Sequence, residues 1–238
     1  MAISEVLDDM LPEGADKRTQ VREMFDRIAP RYDLMNRLMT GGLDQRWRRL
    51  TLDLAGVGPG DRVLDLACGT GDLCELVRAR GAAAIGVDFA GVMLKGAQAR
   101  GIDAAFVRGD AAHLPCADAS VDVVTCGFAL RNFVALEPVF AELNRVLAPG
   151  GRIALIDVDR PRSRFIAAAH SLYFDRFVPF VGGLIADRAA YRYLPASTAY
   201  LPPPEEMLGL LEKAGFAGVR RRVLMLGSAQ ILLGRKEA

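Results

Sequence analysis

Three aspartates and a glycine-rich turn are the residues of this sequence whose types and spacing most clearly predict chemistry. Asp65 lies in the apolar run at 63–66, which leads into Gly69-Thr70-Gly71, and Asp88 and Asp110 follow two later apolar runs. Glycine lacks a Cβ, so a ligand can approach this turn closely and the backbone can take positive φ. If the runs are parallel strands, the three acids meet at one edge of the sheet and form one ligand site.

The acid at Asp65, before the glycines, indicates which kind of cofactor this site binds. A carboxylate there would repel the pyrophosphate of a dinucleotide, and Cys74 stands where a G-x-G-x-x-G pattern needs its third glycine. A cofactor with a cationic amino-acid end and no phosphate would be attracted instead. S-adenosylmethionine has these properties and is the predicted cofactor, with a dinucleotide as the alternative.

The remaining polar residues can be assigned to parts of such a ligand. Asp88, seventeen residues after Gly71, is expected to accept hydrogen bonds from both ribose hydroxyls. Asp110 is placed to meet the adenine amino group, and Thr70 with the amides of the turn would line the methionine portion. The structural alternative is that a strand-end aspartate only caps the helix that follows it.

The composition of the 238-residue chain excludes several other classes of protein. The net charge is +1, so no global field favours nucleic acid as a partner. The four cysteines form no C-x-x-C pair and only two histidines accompany them, so we expect no metal. The acidic start does not resemble a signal peptide, and no apolar stretch is long enough to span a bilayer. We therefore expect a soluble, cytoplasmic protein.

Alternating apolar runs and helical patterns predict an α/β fold with a mostly parallel sheet. The predicted strands are 62–67, 83–88, 104–108, 121–126 and 152–158, and the predicted helices are 71–80, 91–100, 136–147 and 204–214. Pro149-Gly150-Gly151 is interpreted as a sharp turn before the fifth strand. Residues 219–226 and 229–233 are two further strands, and the short Gly227-Ser228 link requires a hairpin between them. A seven-stranded Rossmann-like sheet ending in an antiparallel hairpin is typical of class I methyltransferases.

Two segments lie outside the predicted sheet, and the chain is predicted to form one domain. Residues 1–57 are a helical N-terminal cap, and residues 58–238 are the cofactor-binding core. Within the core, residues 160–200 are an insertion rich in aromatic residues, arginine and proline. Both segments are interpreted as lids over the ligand crevice, with additional structural packing as the alternative.

Several motifs outside the glycine turn resemble the C-methyltransferases of menaquinone and ubiquinone biosynthesis, over nearly the whole chain. They are VREMFDRIAPRYDLMN at 21–36, LDQRWR at 43–48, FALRN at 128–132, YRYLP at 191–195 and LEKAGF at 211–216. The resemblance implies cofactor contacts at Thr70, Asp88, Asp110, Ala111 and Gly127. This sequence departs from the family in having Gly127 where serine is usual, and in lacking a histidine at the end of a motif near 226–230.

The resemblance also implies the acceptor, a prenylated quinol that is methylated on a ring carbon, most simply demethylmenaquinol. Arg131 and Asn132 then face the acceptor, and Tyr32 reaches the same ring oxygen. Arginine stays protonated, so Arg131 would stabilise a phenolate or orient a water that takes the proton. A structural role for Arg131, as a helix cap or a partner of Glu137, is the alternative. A methyltransferase of another aromatic metabolite and a non-catalytic cofactor-binding component of a quinone-biosynthesis complex also stay open.

A prenylated quinol resides in the bilayer, which predicts peripheral contact with the inner face of the membrane. The cluster Arg46-Trp47-Arg48-Arg49 suits an anionic interface, although Trp47 could instead pack inward. Four phenylalanines of the insertion are candidates for an acceptor channel, namely Phe165, Phe174, Phe177 and Phe180. We also predict that the protein forms a homodimer.

Overall fold

The computed structural model describes residues 14–159 and 197–237 of the chain, with three cap helices followed by an α/β core. The cap helices are α1 (Gly14–Ile28), α2 (Tyr32–Thr40) and α3 (Leu43–Ala55). The core begins with β1 (Arg62–Leu66), α4 (Asp72–Arg78), β2 (Ala83–Asp88), α5 (Gly91–Ala99), β3 (Ala105–Arg108) and β4 (Val121–Gly127). It continues with α6 (Leu136–Val146), β5 (Leu147–Val158), α7 (Pro204–Lys213), β6 (Phe216–Leu224) and β7 (Ala229–Lys236).

The seven strands form one sheet in the order β3-β2-β1-β4-β5-β7-β6. The first five strands are parallel, whereas β7 runs antiparallel to both β5 and β6. The strand order reverses between β1 and β4, where Asp65 is paired with Thr125. This reversal creates a crevice at the carboxyl edge of the sheet, where open α/β proteins bind their ligands. The predicted fold class is confirmed.

Alternating side chains of each central strand pack into two separate cores, one on each face of the sheet. Leu64 faces the core formed with α6 and α7, whereas Val63 faces the core formed with α3 and α4. The central strands are apolar on both faces because both are covered by helices, as in other parallel sheets. The sheet is thereby a rigid support for the polar residues at its carboxyl edge.

Two local predictions were wrong in their details. Pro149-Gly150-Gly151 is not a turn before the strand but lies inside β5, where pairing shifts from Val121↔Leu147 to Val123↔Arg152. This bulge takes up the extra residues, with Gly150 at φ 74°. The hairpin link is also longer than Gly227-Ser228, because β6 ends at Leu224 and a 3₁₀ turn spans Met225–Gly227.

The three cap helices occupy much of the segment predicted to be a helical cap. The 160–200 insertion lies outside the described residues except for its last four, which include the 3₁₀ turn Thr198–Tyr200. The four phenylalanines and the YRYLP motif therefore also lie outside the described part. Among the helices that the structure describes, none is long and apolar enough to cross a membrane.

Candidate active site

The glycine turn after β1 is held by the carboxylate at the end of β2. Gly69 and Gly71 have φ of 56° and 87°, in the left-handed region that glycine adopts without strain. Asp88 Oδ2 accepts a 2.8 Å hydrogen bond from the Gly69 amide, and its Oδ1 accepts one of 2.8 Å from Ala90. Burial raises the pKa of the Asp88 carboxyl. Asp88 therefore holds the glycine turn and the backbone just before α5, and it also faces the ligand cavity. It is not the helix cap of the structural alternative, because the N-cap of α5 is Ala90 and no side chain caps this helix.

A cavity of about 320 Å³ opens at the carboxyl edge of the sheet. Seven of the eleven predicted site residues line it, namely Tyr32, Gly69, Asp88, Asp110, Ala111, Gly127 and Asn132. They come from α2, from the last residues of β2 and β4, and from the segments that follow β1, β3 and β4. This arrangement agrees with the prediction that the carboxyl ends of these strands form one ligand site.

A second, much smaller cavity of about 10 Å³ lies beneath the glycine turn. Asp65 and Thr70 line it together with Arg48, and Tyr32 borders both cavities. The Asp65 carboxylate accepts a 2.8 Å hydrogen bond from the Thr125 hydroxyl and lies 3.8 Å from Cys74 Sγ. Burial raises the pKa of the Asp65 carboxyl to about 7. This buried acid can attract a cation in the small cavity.

The remaining two predicted site residues are absent from the described lining of both cavities. A Cβ on Gly71 would lie 2.9 Å from Cδ1 of Ile102 and 3.2 Å from Cζ of Phe106, so this glycine allows close packing of the turn. Arg131, in the 3₁₀ turn Leu130–Asn132, is 5% exposed and directs its guanidinium into the protein.

The guanidinium of Arg131 is held by a buried network behind the cavity. It forms an ion pair with Asp157 of β5, and it donates 2.8 and 3.2 Å hydrogen bonds to the Phe128 carbonyl and the Ser197 hydroxyl. The Arg131 amide also donates to Asp157, at 3.2 Å. Arg131 therefore fixes the turn that presents Asn132 to the large cavity, and its charge partner is Asp157 rather than Glu137.

Tyr32 stands between the two cavities with its ring edge-on to Phe25. Burial raises the pKa of the Tyr32 hydroxyl, while the nearby charges of Arg48 and Arg131 oppose that effect. A tyrosine with a raised pKa is neutral at physiological pH and acts as a hydrogen-bond donor.

Helix α1 covers the large cavity through polar contacts. Arg18 Nη2 lies 2.8 Å from Oδ2 of Asp110, and the Arg18 guanidinium is 4.8 Å from the centre of the Phe89 ring. Lys17 donates a 2.7 Å hydrogen bond to the Phe133 carbonyl, and burial lowers the pKa of its ammonium to about 8. The cap is thereby connected to segments on both sides of the cavity.

Helix α2 is bound to the glycine turn itself. The Thr70 hydroxyl donates a 2.6 Å hydrogen bond to Asp33 Oδ1. Thr70 therefore already has a partner in the cap, in addition to its place at the small cavity. The 3.8 Å approach of Tyr32 Cε1 to a Cβ built on Gly69 brings α2 close to the turn.

The predicted membrane-facing cluster does not form one exposed surface. Arg46 and Arg49 are exposed, but Arg48 is buried and Trp47 packs against Phe128 with ring centres 6.4 Å apart. The sequence argument therefore missed Arg48 as a residue of the site. The four-residue spacing from Asp44 on the same helix was the available signal, because it places the two side chains on one face.

The fold and the site together define a class I methyltransferase that uses S-adenosylmethionine. The strand order ends in the antiparallel hairpin, acids terminate the strands, and a buried carboxylate stands by the glycine turn where a cationic amino-acid end would lie. No cluster of three His, Cys, Asp or Glu side chains able to hold a metal ion is found within 14–159 and 197–237.

The chain belongs to the ubiE/COQ5 methyltransferase family, whose profile matches residues 13–236. It is 45% identical over 218 residues to a demethylmenaquinone methyltransferase of Thermus thermophilus, covering 89% of this chain and 99% of that protein. It is 38% identical over 218 residues to a ubiquinone/menaquinone biosynthesis C-methyltransferase UbiE of Teredinibacter turnerae, covering 87% of each.

Solved structures support the fold at lower sequence similarity. The crystal structure of a SAM-dependent methyltransferase from Thermotoga maritima, described as a possible histamine N-methyltransferase, has a TM-score of 0.62 at 20% identity. The match covers 90% of this chain and 99% of that one.

Proposed function

We propose that this protein transfers the methyl group of S-adenosylmethionine to a ring carbon of demethylmenaquinol, giving menaquinol. The observation that carries the proposal is the divided lining of the large cavity. The acids Asp88 and Asp110 come from the β2–β3 side of the sheet. Apolar lining residues follow β4, on the other side of β1, namely Phe128, Phe133, Val134, Pro138 and Val139. An aromatic ring with a prenyl chain suits the apolar part. The names of the two relatives described above support the same acceptor.

The chemistry requires the reduced form of the acceptor. S-adenosylmethionine supplies a methyl group that is electrophilic because it is bound to a sulfonium. Attack by the ring carbon forms a carbon–carbon bond and breaks the sulfur–methyl bond, whose electron pair stays on sulfur and gives S-adenosylhomocysteine. The same ring carbon then loses its proton to a water molecule, which restores the aromatic ring. Only an electron-rich quinol, best as its phenolate, can make this attack, since a quinone is itself electrophilic.

Two residues of the cavity are assigned to the acceptor. Asn132 lines the large cavity, where its amide can hydrogen-bond a ring oxygen. Tyr32 borders both cavities, and its neutral hydroxyl can donate to the phenolate oxygen while the methyl group is transferred. Both contacts favour deprotonation of the quinol, and so raise the fraction of the acceptor that is present as the more nucleophilic phenolate.

Arg131 is assigned a positioning role. Its guanidinium is bonded to Asp157, Ser197 and the Phe128 carbonyl, so it fixes the backbone that presents Asn132. Its positive charge also opposes the upward shift of the pKa of Tyr32. Arg131 would therefore act on the phenolate through these two neighbours.

Contact with a membrane surface is part of the proposal because a prenylated quinol is delivered from the bilayer. Leu34 and Leu38 of α2 are 50% and 40% exposed, and the exposed Arg37 lies beside them. Val134, on the lining of the large cavity, is 53% exposed. Binding to anionic vesicles that is weakened by Leu34→Ser with Leu38→Ser would support this contact. No binding of the wild type at low salt would contradict it.

The predicted organisation belongs to the same proposal. Residues 1–57 and the 160–200 insertion would both cover the ligand crevice, with the insertion on the acceptor side. Light scattering on the purified protein tests the predicted homodimer.

The test of the function is methyl transfer from labelled S-adenosylmethionine to a panel of quinols, each supplied with and without a reductant. We expect labelled menaquinol from demethylmenaquinol, only in the reduced samples. Labelling of another aromatic compound but of no quinol would favour a different acceptor. Binding of S-adenosylmethionine without any transfer would favour a non-catalytic component.

A further inference from the structure

The turn of the β6–β7 hairpin exposes apolar side chains on a strained backbone. Met225 and Leu226 have φ of 47° and 55°, in the left-handed region that residues other than glycine seldom adopt. Their side chains are 57% and 76% exposed, and that of Val223 is 46% exposed. Leu226 is the most exposed large apolar side chain among the described residues. Packing within the protein therefore does little to offset this strain, and strained residues cluster at functional segments.

The register of the sheet places this turn at the edge where ligands bind. Ala229, the first residue of β7, pairs with Leu224 at the end of β6 and with Val158 at the carboxyl end of β5. The large cavity opens at the same carboxyl edge, among the segments that follow the parallel strands. The apolar turn and the mouth of the cavity are therefore on one side of the molecule.

The hairpin that carries the turn is basic. Residues 216–236 contain four arginines and one lysine but no aspartate or glutamate. Arg221 is half-buried and forms an ion pair with Asp159, whereas Arg220 and Arg222 are exposed. Positive charge at the surface thus follows directly behind the apolar turn along β6.

The two exposed arginines lie on one face of β6, away from the nearest acids of the next helix. Their partners on β7 are Leu233 and Ile231, which belong to the core on the α3 side of the sheet. Helix α7 packs into the core on the other side, and its first turn carries Glu205 and Glu206. The sheet therefore separates these acids from the two arginines.

An apolar tip with positive charge behind it matches the layers of an anionic membrane surface. At about 3.3 Å per residue, Arg222 and Arg220 stand about 7 and 13 Å behind Leu224, the last residue of β6. Interfacial segments bury apolar side chains about 5–10 Å into the boundary between headgroups and acyl chains, and anionic lipids attract arginine near the surface. A second copy of this chain fits the edge less well, because pairing of two β6 strands would bring like charges together.

We propose that the hairpin turn at 223–226 inserts into the headgroup region of an anionic bilayer, where Arg220 and Arg222 contact lipid phosphates. The insertion orients the enzyme with the mouth of its large cavity toward the membrane. The inference rests on the proposed function only for the location of the acceptor in the bilayer. It adds a second contact to the one proposed for α2.

The charge contribution is tested by sedimentation with vesicles of phosphatidylcholine, with and without phosphatidylglycerol. Arg220→Gln with Arg222→Gln should weaken binding to the anionic vesicles about 25-fold, since each basic residue near an anionic surface contributes about fivefold. Binding to the neutral vesicles should not change. The matched control is Arg235→Gln, which removes an exposed arginine at the other end of the same hairpin and should bind as the wild type does.

The apolar contribution is tested with Leu226→Asn, because asparagine adopts positive φ more readily than leucine. This variant should bind vesicles about tenfold more weakly through the loss of apolar burial, yet its Tm should rise by about 2–4 °C through the relief of strain. Val107→Asn is the control, since Val107 is 38% exposed on β3 at the opposite edge of the sheet. It should leave vesicle binding unchanged.

Methyl transfer distinguishes this inference from the proposed function. The variants at 220, 222 and 226 should lose activity toward a long-chain quinol in vesicles but not toward a water-soluble short-chain quinol. Wild-type binding of anionic vesicles by both variant proteins would overturn the inference, as would a wild type that binds no vesicles. Equal loss of activity toward both quinols would also overturn it, because it would indicate a structural role. Vesicle binding that depends on the turn, without transfer to any quinol, would support the inference and overturn the proposed function.

Discussion

Arg131 and Asp157 form a buried ion pair that connects the turn after β4 to the carboxyl end of β5. Asp157 is fully buried, and the guanidinium of Arg131 also donates to a carbonyl and a hydroxyl. The pair lies behind the large cavity, whereas Asn132, the next residue, lines it. This arrangement separates the residue that would contact the acceptor from the residue that holds it in place.

Replacing Arg131 with alanine should reduce kcat while leaving the Kd for S-adenosylmethionine near that of the wild type. It should also lower the free energy of unfolding by about 3–5 kcal/mol, because Asp157 is left as an uncompensated buried charge. Denaturant titration and single-turnover kinetics measure the two effects.

The double variant Arg131→Ala with Asp157→Ala separates these effects. Removing both charges should recover much of the stability but not the rate, and should alter the pH profile of kcat if the charge of Arg131 acts on Tyr32. A double variant with wild-type turnover and an unchanged pH profile would remove Arg131 from the mechanism.

Affinity for S-adenosylmethionine should fall as the pH is lowered through about 7, because the Asp65 carboxylate that attracts the ammonium group becomes protonated. Burial raises the pKa of Asp65 to about 7, and the nearby charge of Asp88 adds to this effect. The hydrogen bonds from Thr125 and Cys74 and the charge of Arg48 lower the pKa, but by less. Binding should weaken roughly tenfold between pH 8 and pH 6, as expected for one competing proton. Asp65→Asn should bind weakly and show no such pH dependence, which calorimetry at several pH values can measure.

The stability of the ligand-free protein should show the opposite trend. The folded-state pKa of Asp65 lies above the ordinary value of 3.8, so the folded state holds this proton more tightly than the unfolded state. Its contribution to stability is therefore lost as the pH rises toward 7, by about 1.4 kcal/mol per pH unit at most. Asp65→Asn should gain stability relative to the wild type at pH 8 but not at pH 4. Equal differences at the two values would contradict the assigned pKa.

Asp88→Asn should weaken binding of S-adenosylmethionine by about 10- to 100-fold, the range for losing hydrogen bonds to a charged group. The carboxylate holds the Gly69 amide and faces the cavity, so the substitution disturbs both the turn and the ribose contact. Asp103→Asn is a matched control, because its side chain is 86% exposed and pairs with Arg78 at the surface. A Kd for Asp88→Asn equal to that of this control would exclude Asp88 from the cofactor site.

Arg18→Met should accelerate release of S-adenosylmethionine with little effect on stability. Its ion pair with Asp110 is partly exposed, with side chains 50% and 33% accessible, and such pairs contribute at most about 1 kcal/mol. That limit corresponds to about a fivefold faster release, measured by chasing bound labelled ligand with unlabelled ligand. Release from the wild type should also accelerate with salt, and Arg18→Lys should behave as the wild type does. A rate independent of both residue 18 and salt would show that α1 does not retain the ligand.

The sheet and the strand-end acids could be predicted from the sequence because local patterns determine them. Apolar runs of strand length gave β1, β2 and β4 nearly to the residue, and parallel topology then required Asp88 and Asp110 to share one edge. Irregular pairing within a strand is harder to predict from the sequence. The bulge at 148–151 depends on the register between β5 and β4, which no local pattern determines.

The surroundings of the two central arginines are less accessible from the sequence, for a related reason. Arg131 is bonded to Asp157 and Ser197, which are 26 and 66 residues away, and no local pattern relates them. Arg48 is flanked by Arg46 and Arg49, which are chemically similar but exposed. The four-residue spacing from Asp44 distinguishes Arg48 from the other two, and the packing of α3 against β5 and α4 then buries it.

The position of β7 within the sheet constrains how the protein is made. This strand is the last along the described chain, yet it lies between β5 and β6 and pairs with both. During synthesis, β6 has no partner and the edge of β5 stays uncovered until Lys236 has left the ribosomal tunnel. The nascent chain must therefore wait with an open sheet edge, the state in which α/β proteins are most exposed to aggregation and to chaperones.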